Sequence, residues 1–176
     1  MKVTAAELAG VFYVDLEPAS DERGWFARLF DDAEFRRLGL CAHFDQVSLS
    51  HNLRKGTLRG MHYQEPPHAE VKLIACVRGA ASDVVVDIRP DSPTRHRWLA
   101  TRLSAADRRA LYVPEGFAHG FLALEDETTL LYQISGRYEA AAARGLRWND
   151  PRLNIAWPEG PKTLSTRDQQ WPLLAA

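Results

Sequence analysis

This chain is short of most features that announce a class by themselves. Cys41 and Cys76 are its only cysteines, and without CxxC spacing they supply neither a disulfide framework nor a thiolate metal site, which suits a reducing compartment such as the cytoplasm. Charge of one sign is also missing, since 22 Lys and Arg face 23 Asp and Glu. Without a basic or acidic surplus, neither nucleic acid nor a membrane is indicated as principal partner, and a small-molecule ligand is the default. Residues 1–10 mix Lys2 and Glu7 with short apolar runs, so they read as neither a signal peptide nor a membrane span. Repeats, low-complexity tracts and charge blocks are absent, and the chain reads as ordered throughout. No linker interrupts the 176 residues, which fit a single domain, 1–176, with room for a substantial core.

Helix signals are scarce. Asp31 or Asp32 can cap a short helix through Leu38, with Gly39 placed to end it in the left-handed conformation. What the chain has instead is a series of short β-rich runs. Residues 11–16 read as a first strand, and a turn-forming stretch, 18–24, separates it from the aromatic run 25–30, making a hairpin with Arg23 at its corner. Runs at 44–50, 57–63, 71–77, 82–88, 98–103, 110–113, 117–124 and 128–135 follow, divided by Gly, Pro, Asn and Asp. Many short strands with turns between them predict an all-β sandwich or barrel. The acids of Ser82-Asp83-Val84-Val85-Val86-Asp87-Ile88 would face a polar cavity, where a buried acid needs a partner. Beyond Tyr138 the pattern turns irregular, with turns at Trp148-Asn149-Asp150-Pro151 and Trp157-Pro158, so residues 139–176 are expected to wrap the barrel.

The most informative stretch is Gly56-Thr57-Leu58-Arg59-Gly60-Met61-His62-Tyr63-Gln64. On a period-two strand Arg59 and His62 point to opposite faces unless the chain bulges, and Gly60 between them is where it can. Aimed into one cavity, they would pair a proton-transfer group with an anion-binding one. A core histidine and a surface arginine fit these residues equally well. A second cluster, Pro114-Glu115-Gly116-Phe117-Ala118-His119-Gly120, sets another histidine at a strand start. Its Pro-x-Gly-x-x-His pattern resembles the second motif of the cupin superfamily, where that histidine is often a metal ligand. The metal-binding first motif wants His-x-His and a following glutamate, whereas this chain reads His62-Tyr63-Gln64, with His68 and Glu70 at odd spacing. No metal is expected from so incomplete a ligand set.

These motifs, with Asp21-Glu22-Arg23-Gly24, Asp83-Val84-Val85-Val86-Asp87-Ile88-Arg89, Ser92-Pro93-Thr94, Trp148-Asn149-Asp150-Pro151 and Leu164-Ser165-x-x-Asp168, together resemble the dTDP-4-dehydrorhamnose 3,5-epimerase family almost from end to end. The resemblance implies a double-stranded β-helix, or cupin jelly roll, with a few short helices, and no metal or cofactor. It also implies a homodimer that exchanges N-terminal strands within about 11–30, and a nucleotide-linked 4-keto-6-deoxy sugar as substrate.

Inverting a carbon beside a ketone requires a base for the α-proton, a donor to the enolate oxygen and an acid on the opposite face. By resemblance His62 is the base, Tyr132 the acid, and Lys72 lies near the oxo group. Asp168 would orient His62, although Ser165-x-x-Asp168 is equally a helix capping pattern. Tyr132 by itself reads as one more aromatic in an apolar strand. Arg59 and Arg23 would hold the diphosphate, Arg23 from the neighbouring subunit; an isolated arginine there reads as a plain turn residue. His119 would contact the sugar and Tyr138 stack on the base, with Gln46 and Arg167 as further contacts and Phe26 on the pocket wall.

The chain departs from the commoner family pattern at several places. Arg28 stands where many members carry glutamate, Gln46-Val47-Ser48 replaces Gln-Asp-Asn, one extra residue precedes Gly56, and residues 140–143 lack an acidic side chain. These are nucleotide-contact positions, so the resemblance leaves the base and the sugar open.

Overall fold

The computed structural model describes residues 1–174, and its body is two six-stranded sheets packed face to face. The first sheet runs in the order β1 (Lys2–Ala5), β2 (Phe12–Asp15), β10 (Arg109–Val113), β7 (Lys72–Arg78), β12 (Thr128–Ile134), β5 (Gln46–Asn52). The second runs β13 (Ala143–Gly145), β6 (Thr57–Gln64), β11 (Phe117–Ala123), β8 (Ala80–Asp87), β9 (Trp98–Ser104), with β14 (Thr163–Leu164) alongside β6. A separate hairpin, β3 (Ala19–Asp21) and β4 (Gly24–Phe26), pairs only with itself.

The core between the sheets follows the strand period. Ile74 and Cys76 of β7, Leu111 and Val113 of β10, Leu130 of β12, Val85 of β8 and Phe117 and Phe121 of β11 all point inward and are buried. The same inward positions carry polar side chains at one end of the sandwich. Lys72 precedes Ile74 by two residues, Tyr132 follows Leu130 by two, and His119 lies between Phe117 and Phe121. With alternate residues on one face, these groups must enter the interior rather than solvent.

The outer faces are covered unequally. Helix α1 (Asp32–Arg37) begins where expected, Asp31 capping it through the Glu34 N–H, and Gly39 follows at φ +71. It lays Phe35 on Val14, Leu73, Ala75 and Tyr112. The aromatic run 25–30 does not continue as a strand. β4 stops at Phe26, because Leu29 and Phe30 turn down onto Phe35 in this second core, with the Phe30 and Phe35 rings 5.0 Å apart. The C-terminal residues cover the outer face of the second sheet, where Leu146, Leu153, Ile155, Trp157 and Leu174 pack on Met61, Val84 and Val86. Asp150 ties that segment down, accepting from the N–H groups of Arg152 at 2.8 Å and Leu174 at 2.6 Å. Residues 175 and 176 of the expected wrapping segment lie outside the described residues.

Two family-like motifs prove to be one structural clamp. Asp87 is fully buried and receives Arg89 Nε at 3.0 Å, Arg89 Nη2 at 2.7 Å, and the hydroxyls of Ser92 and Thr94 at 2.6 Å each. Burial pushes its carboxyl upward, but these donors outweigh burial and hold it well below the usual carboxylate range.

Candidate active site

A cavity of about 410 Å³ opens between β5, β12 and β7 on one side and β6 and β11 on the other. Its position at the mouth of a β-sandwich interior is a common place for a ligand. His62, Arg59, Lys72, Tyr132 and His119 line it, as do Gln46, Tyr138 and Arg167.

The bulge expected at Gly60 is what brings Arg59 and His62 to the same side. His119 pairs with His62 and Phe121 with Arg59, so three steps on β6 oppose two on β11, and the register shifts between them. Gly60 takes φ +140, and a Cβ there would meet Gly120 Cα at 2.5 Å. Only glycine fits this approach of two backbones.

His62 Nε2 lies 2.6 Å from Asp168 Oδ1, with the His62 side chain 44% exposed and that of Asp168 5% exposed. The two readings of Ser165-x-x-Asp168 prove compatible. Ser165 caps α2 (Thr166–Gln169) by accepting the Asp168 N–H at 3.0 Å, which leaves the Asp168 carboxylate to face His62. Burial raises the Asp168 carboxyl, but hydrogen bonds from His62, Trp171 and Ser165 outweigh it and leave the group below its ordinary range. It therefore stays ionised beside the imidazole at neutral pH.

A second pair sits directly across the strands. His119 Nε2 is 2.8 Å from Asp83 Oδ2, both side chains are buried, and the His119 ring meets the Tyr132 ring edge-on at 5.8 Å. Asp83 is thus the barrel acid with its partner. Its other oxygen, Oδ1, has no hydrogen-bond partner among the described residues. Burial, and then the Asp83 charge, push the Tyr132 phenol well above its ordinary value, only partly offset by Arg59. A phenol so placed keeps its proton throughout the neutral range.

Lys72 is anchored by a residue the sequence reading used only as a failed metal ligand. Its Nζ lies 2.5 Å from Glu70 Oε1, and both side chains are nearly buried. Gln64, also set aside as a ligand, joins this pair to the pocket rim. Its Nε2 donates to Glu70 Oε2 at 2.9 Å and to the His68 carbonyl at 3.0 Å, and its Oε1 accepts the Glu139 N–H at 2.7 Å. The loop 135–142, which carries Tyr138, is held from the other side by Gln46 Nε2 on the Gly136 carbonyl at 2.8 Å and by Asp45 on the Gly136 N–H at 2.6 Å. Arg59 is oriented by Asn52, whose Oδ1 accepts from its Nε at 2.8 Å. Among the described residues, no three of His, Cys, Asp and Glu gather as metal ligands would.

Two predicted site residues stand apart. Arg23 lies on the β3–β4 hairpin, paired to Asp21 at its own turn, and Phe26 of the same hairpin is 75% exposed, so neither lines the cavity of its own chain. The hairpin meets Arg108 of its own chain through Trp25, whose ring centroid lies 5.0 Å from the guanidinium, and that contact leaves Arg23 and Phe26 exposed. Arg28, at a departure from the family pattern, pairs with Asp31 at 2.7 Å outside the cavity, while Ser48 lines it. Glu70 and Asn52 carried no motif of their own, and Gln64 stood in one only as a poor metal ligand; Gln64 shares β6 with Arg59, Glu70 lies two residues before Lys72, and Asn52 ends the neighbouring run β5.

A family model described as dTDP-4-dehydrorhamnose 3,5-epimerase matches residues 5–176. A dTDP-4-dehydrorhamnose 3,5-epimerase of Shigella flexneri is 41% identical over 169 residues, covering 96% of this chain and 93% of the relative. A dTDP-4-dehydrorhamnose 3-epimerase of Streptomyces niveus is 42% identical over 176 residues, covering 99% and 84%. A crystal structure of dTDP-4-dehydrorhamnose 3,5-epimerase from Bacillus anthracis, with TDP and PPi bound, superposes with a TM-score of 0.95 at 38% identity, covering 98% of this chain and 99% of that one. The all-β, cupin-like fold expected from the resemblance is the fold observed.

Proposed function

The chain belongs to the dTDP-4-dehydrorhamnose 3,5-epimerase family, a family of isomerases, and on that premise we propose that it inverts C3 and C5 of a dTDP-linked 4-keto-6-deoxyglucose. The observation that carries this reading is the His62–Asp168 pair in a cavity shared with Lys72 and Tyr132. His62 takes the proton from the carbon beside the C4 ketone, and Asp168 steadies the imidazolium that forms. Lys72, fixed by Glu70, donates to the developing enolate oxygen, a contribution of about 3 kcal/mol by analogy with oxyanion holes. Tyr132, kept protonated by burial and Asp83, returns a proton to the opposite face. The raised phenol is a weaker acid but is always loaded. Arg59 and Arg167 hold the diphosphate, Tyr138 stacks on the base, and His119 contacts the sugar. No metal or cofactor takes part.

A homodimer completes the site. The hairpin 19–26 projects with every residue exposed, and carrying Arg23 and Phe26 to a neighbour's cavity gives it something to pair with. Within one chain β2 pairs with β1 and β10, and in this proposal the hairpin is the part of residues 11–30 that reaches the neighbour. The outer face near edge strand β5 also supports this, since Val47, Leu49 and Val77 are exposed there while Phe35 of α1 and the flanking residues 29–30 and 40–44 pack on β2, β7 and β10. No helix of the described residues is long and apolar enough to cross a membrane; we place the enzyme in the cytoplasm because its two cysteines are both free thiols.

Solvent-deuterium washout at C3 and C5 of dTDP-4-keto-6-deoxyglucose, followed by NMR after chelator treatment, tests the reading. Exchange at both carbons is expected. Loss of exchange with chelator and its return with one metal would overturn it. The Streptomyces niveus relative, a 3-epimerase of similar identity, favours a second reading in which only C3 is inverted; exchange confined to C3 would select it.

A further inference from the structure

Trp171 belongs to none of the motifs that carried the sequence reading, yet it touches two working parts of the cavity at once. Its indole Nε1 donates to Asp168 Oδ1 at 3.1 Å, the same oxygen that faces His62 Nε2 at 2.6 Å. The Arg167 guanidinium lies 4.9 Å from the centroid of the Trp171 ring. The indole also packs against Gly145, the cross-strand partner of His62, where an added Cβ would overlap the ring. Arg147 Nε donates to the Trp171 carbonyl and fixes its backbone.

We propose that Trp171 is a positioning residue that couples the orientation of the catalytic base to the arginine that meets the substrate's anion. The inference rests on the reading of His62 as base and Arg167 as diphosphate contact. A carboxylate oxygen held by a single donor can swing about it, and the Gly60 N–H reaches the other oxygen, Oδ2, only at 3.5 Å and is therefore weak. The indole N–H supplies the second fixed donor and sets the direction in which Oδ1 meets His62. It also disperses the Asp168 charge, so that the carboxylate pulls less strongly on a proton at His62. The ring face does separate work, since a guanidinium stacked on it loses less freedom when it grips a phosphate.

The charged and titratable groups that share the cavity with His62 are Asp168 and Arg167 on α2, Arg59 and Tyr63 on its own strand, His119 backed by Asp83 across β11 and β8, Arg144 on β13, Tyr132 on β12, Lys72 with Glu70 at the start of β7, and Tyr138 on the rim loop. Of these, Asp168 is the one hydrogen-bonded to the imidazole among the described residues, so a change in that carboxylate is read out at the base.

The two functions of the indole separate in two variants, both checked for wild-type melting. Trp171→Phe keeps a ring beneath Arg167 and removes the N–H. It is expected to lower kcat for α-proton washout about fivefold to tenfold, move the acid limb of the pH–rate profile upward by about 0.3–1 pH unit, and leave KM and the Kd for TDP unchanged. Gly145→Ala displaces the whole indole and is expected to lower kcat and also weaken TDP about threefold to tenfold. Wild-type kcat and an unmoved acid limb in Trp171→Phe would overturn the proposal, as would wild-type TDP affinity in Gly145→Ala. The low-field proton resonance of the His62–Asp168 hydrogen bond, recorded without substrate, is expected to shift in Trp171→Phe. If even the wild-type protein exchanges no α-proton, the functional reading fails, and this resonance still decides whether Trp171 orients the pair; an unmoved resonance rejects it.

Discussion

His62–Asp168 and His119–Asp83 are the same chemical pair, and the two histidines are direct cross-strand partners, yet the pairs live in different surroundings. The His62 side chain is 44% exposed to the cavity, whereas His119 is 5% exposed and Asp83 wholly buried. The Asp168 carboxylate arrives from the far C-terminal segment, while Asp83 comes from the next strand of the same sheet. An imidazole open to a cavity can take a proton from a ligand and release it to water. One sealed against a buried acid holds its geometry and acts as a polar wall. Residue identity alone does not make a base; access on one side and a carboxylate on the other do. Burial first and the Asp83 charge second raise the proton affinity of Tyr132, a task that the exposed pair does not share.

The contrast breaks most visibly at the exposed histidine. His62→Asn is expected to lower α-proton washout by about 10³–10⁴-fold, since without the base no enolate forms and no later step matters. Quantifying deuterium incorporation by NMR checks it, and washout within tenfold of wild type would remove His62 from the role of base. Tyr132→Phe removes only the hydroxyl, so washout should persist through reprotonation by His62 while inversion falls about 10²–10³-fold. If it blocks washout as completely as His62→Asn does, base and acid do not stand on opposite faces.

The two carboxylates then separate the pairs. Asp168→Asn should lower washout and inversion together by about 10²-fold with their ratio unchanged, because an orienting group acts through His62 alone. Asp83→Asn should appear mainly in stability, at a cost of about 3 kcal/mol in urea unfolding, since it removes one partner of a buried charged pair. Equal effects of both substitutions on washout would erase the distinction between base and wall.

The smallest effect is on pH dependence and comes from a carboxylate outside the cavity lining. Asp87 has a folded-state pKa below its unfolded value of 3.8, so the unfolded chain binds more protons in the acid range. Its contribution is fully present above that value and is lost as pH falls through the folded-state one. Asp87→Asn should therefore flatten the fall in stability below about pH 4, measured by urea unfolding at a series of pH values. An unchanged slope would mean that the Arg89, Ser92 and Thr94 donors do not set the acid response.

Much of this molecule is legible along the chain. Alternating apolar residues mark the strands, Asp31 and Gly39 bracket α1, and Gly60 marks the bulge that turns Arg59 and His62 into one cavity. All of these follow from backbone preference and side-chain period, which act over a few neighbouring residues. The residue types needed for enolisation are visible too, and the resemblance supplied their roles.

Partnership across the fold was decided only in three dimensions. Asp168 meets His62 because β14 of the C-terminal segment pairs in parallel beside β6 and leads into α2, a route that no local pattern encodes. Glu70 holds Lys72, Gln64 ties that pair to the loop of Tyr138, and Trp171 shares the Asp168 oxygen; each depends on which loop lands beside which strand. The turn at Arg23 and the exposed ring of Phe26 are local facts, but that they leave their own cavity is not. Sequence determines what each residue can donate, accept or bury, while packing of distant segments against one another decides which of those capacities meet, because a hydrogen bond requires contact within about 3 Å that spacing along the chain cannot specify.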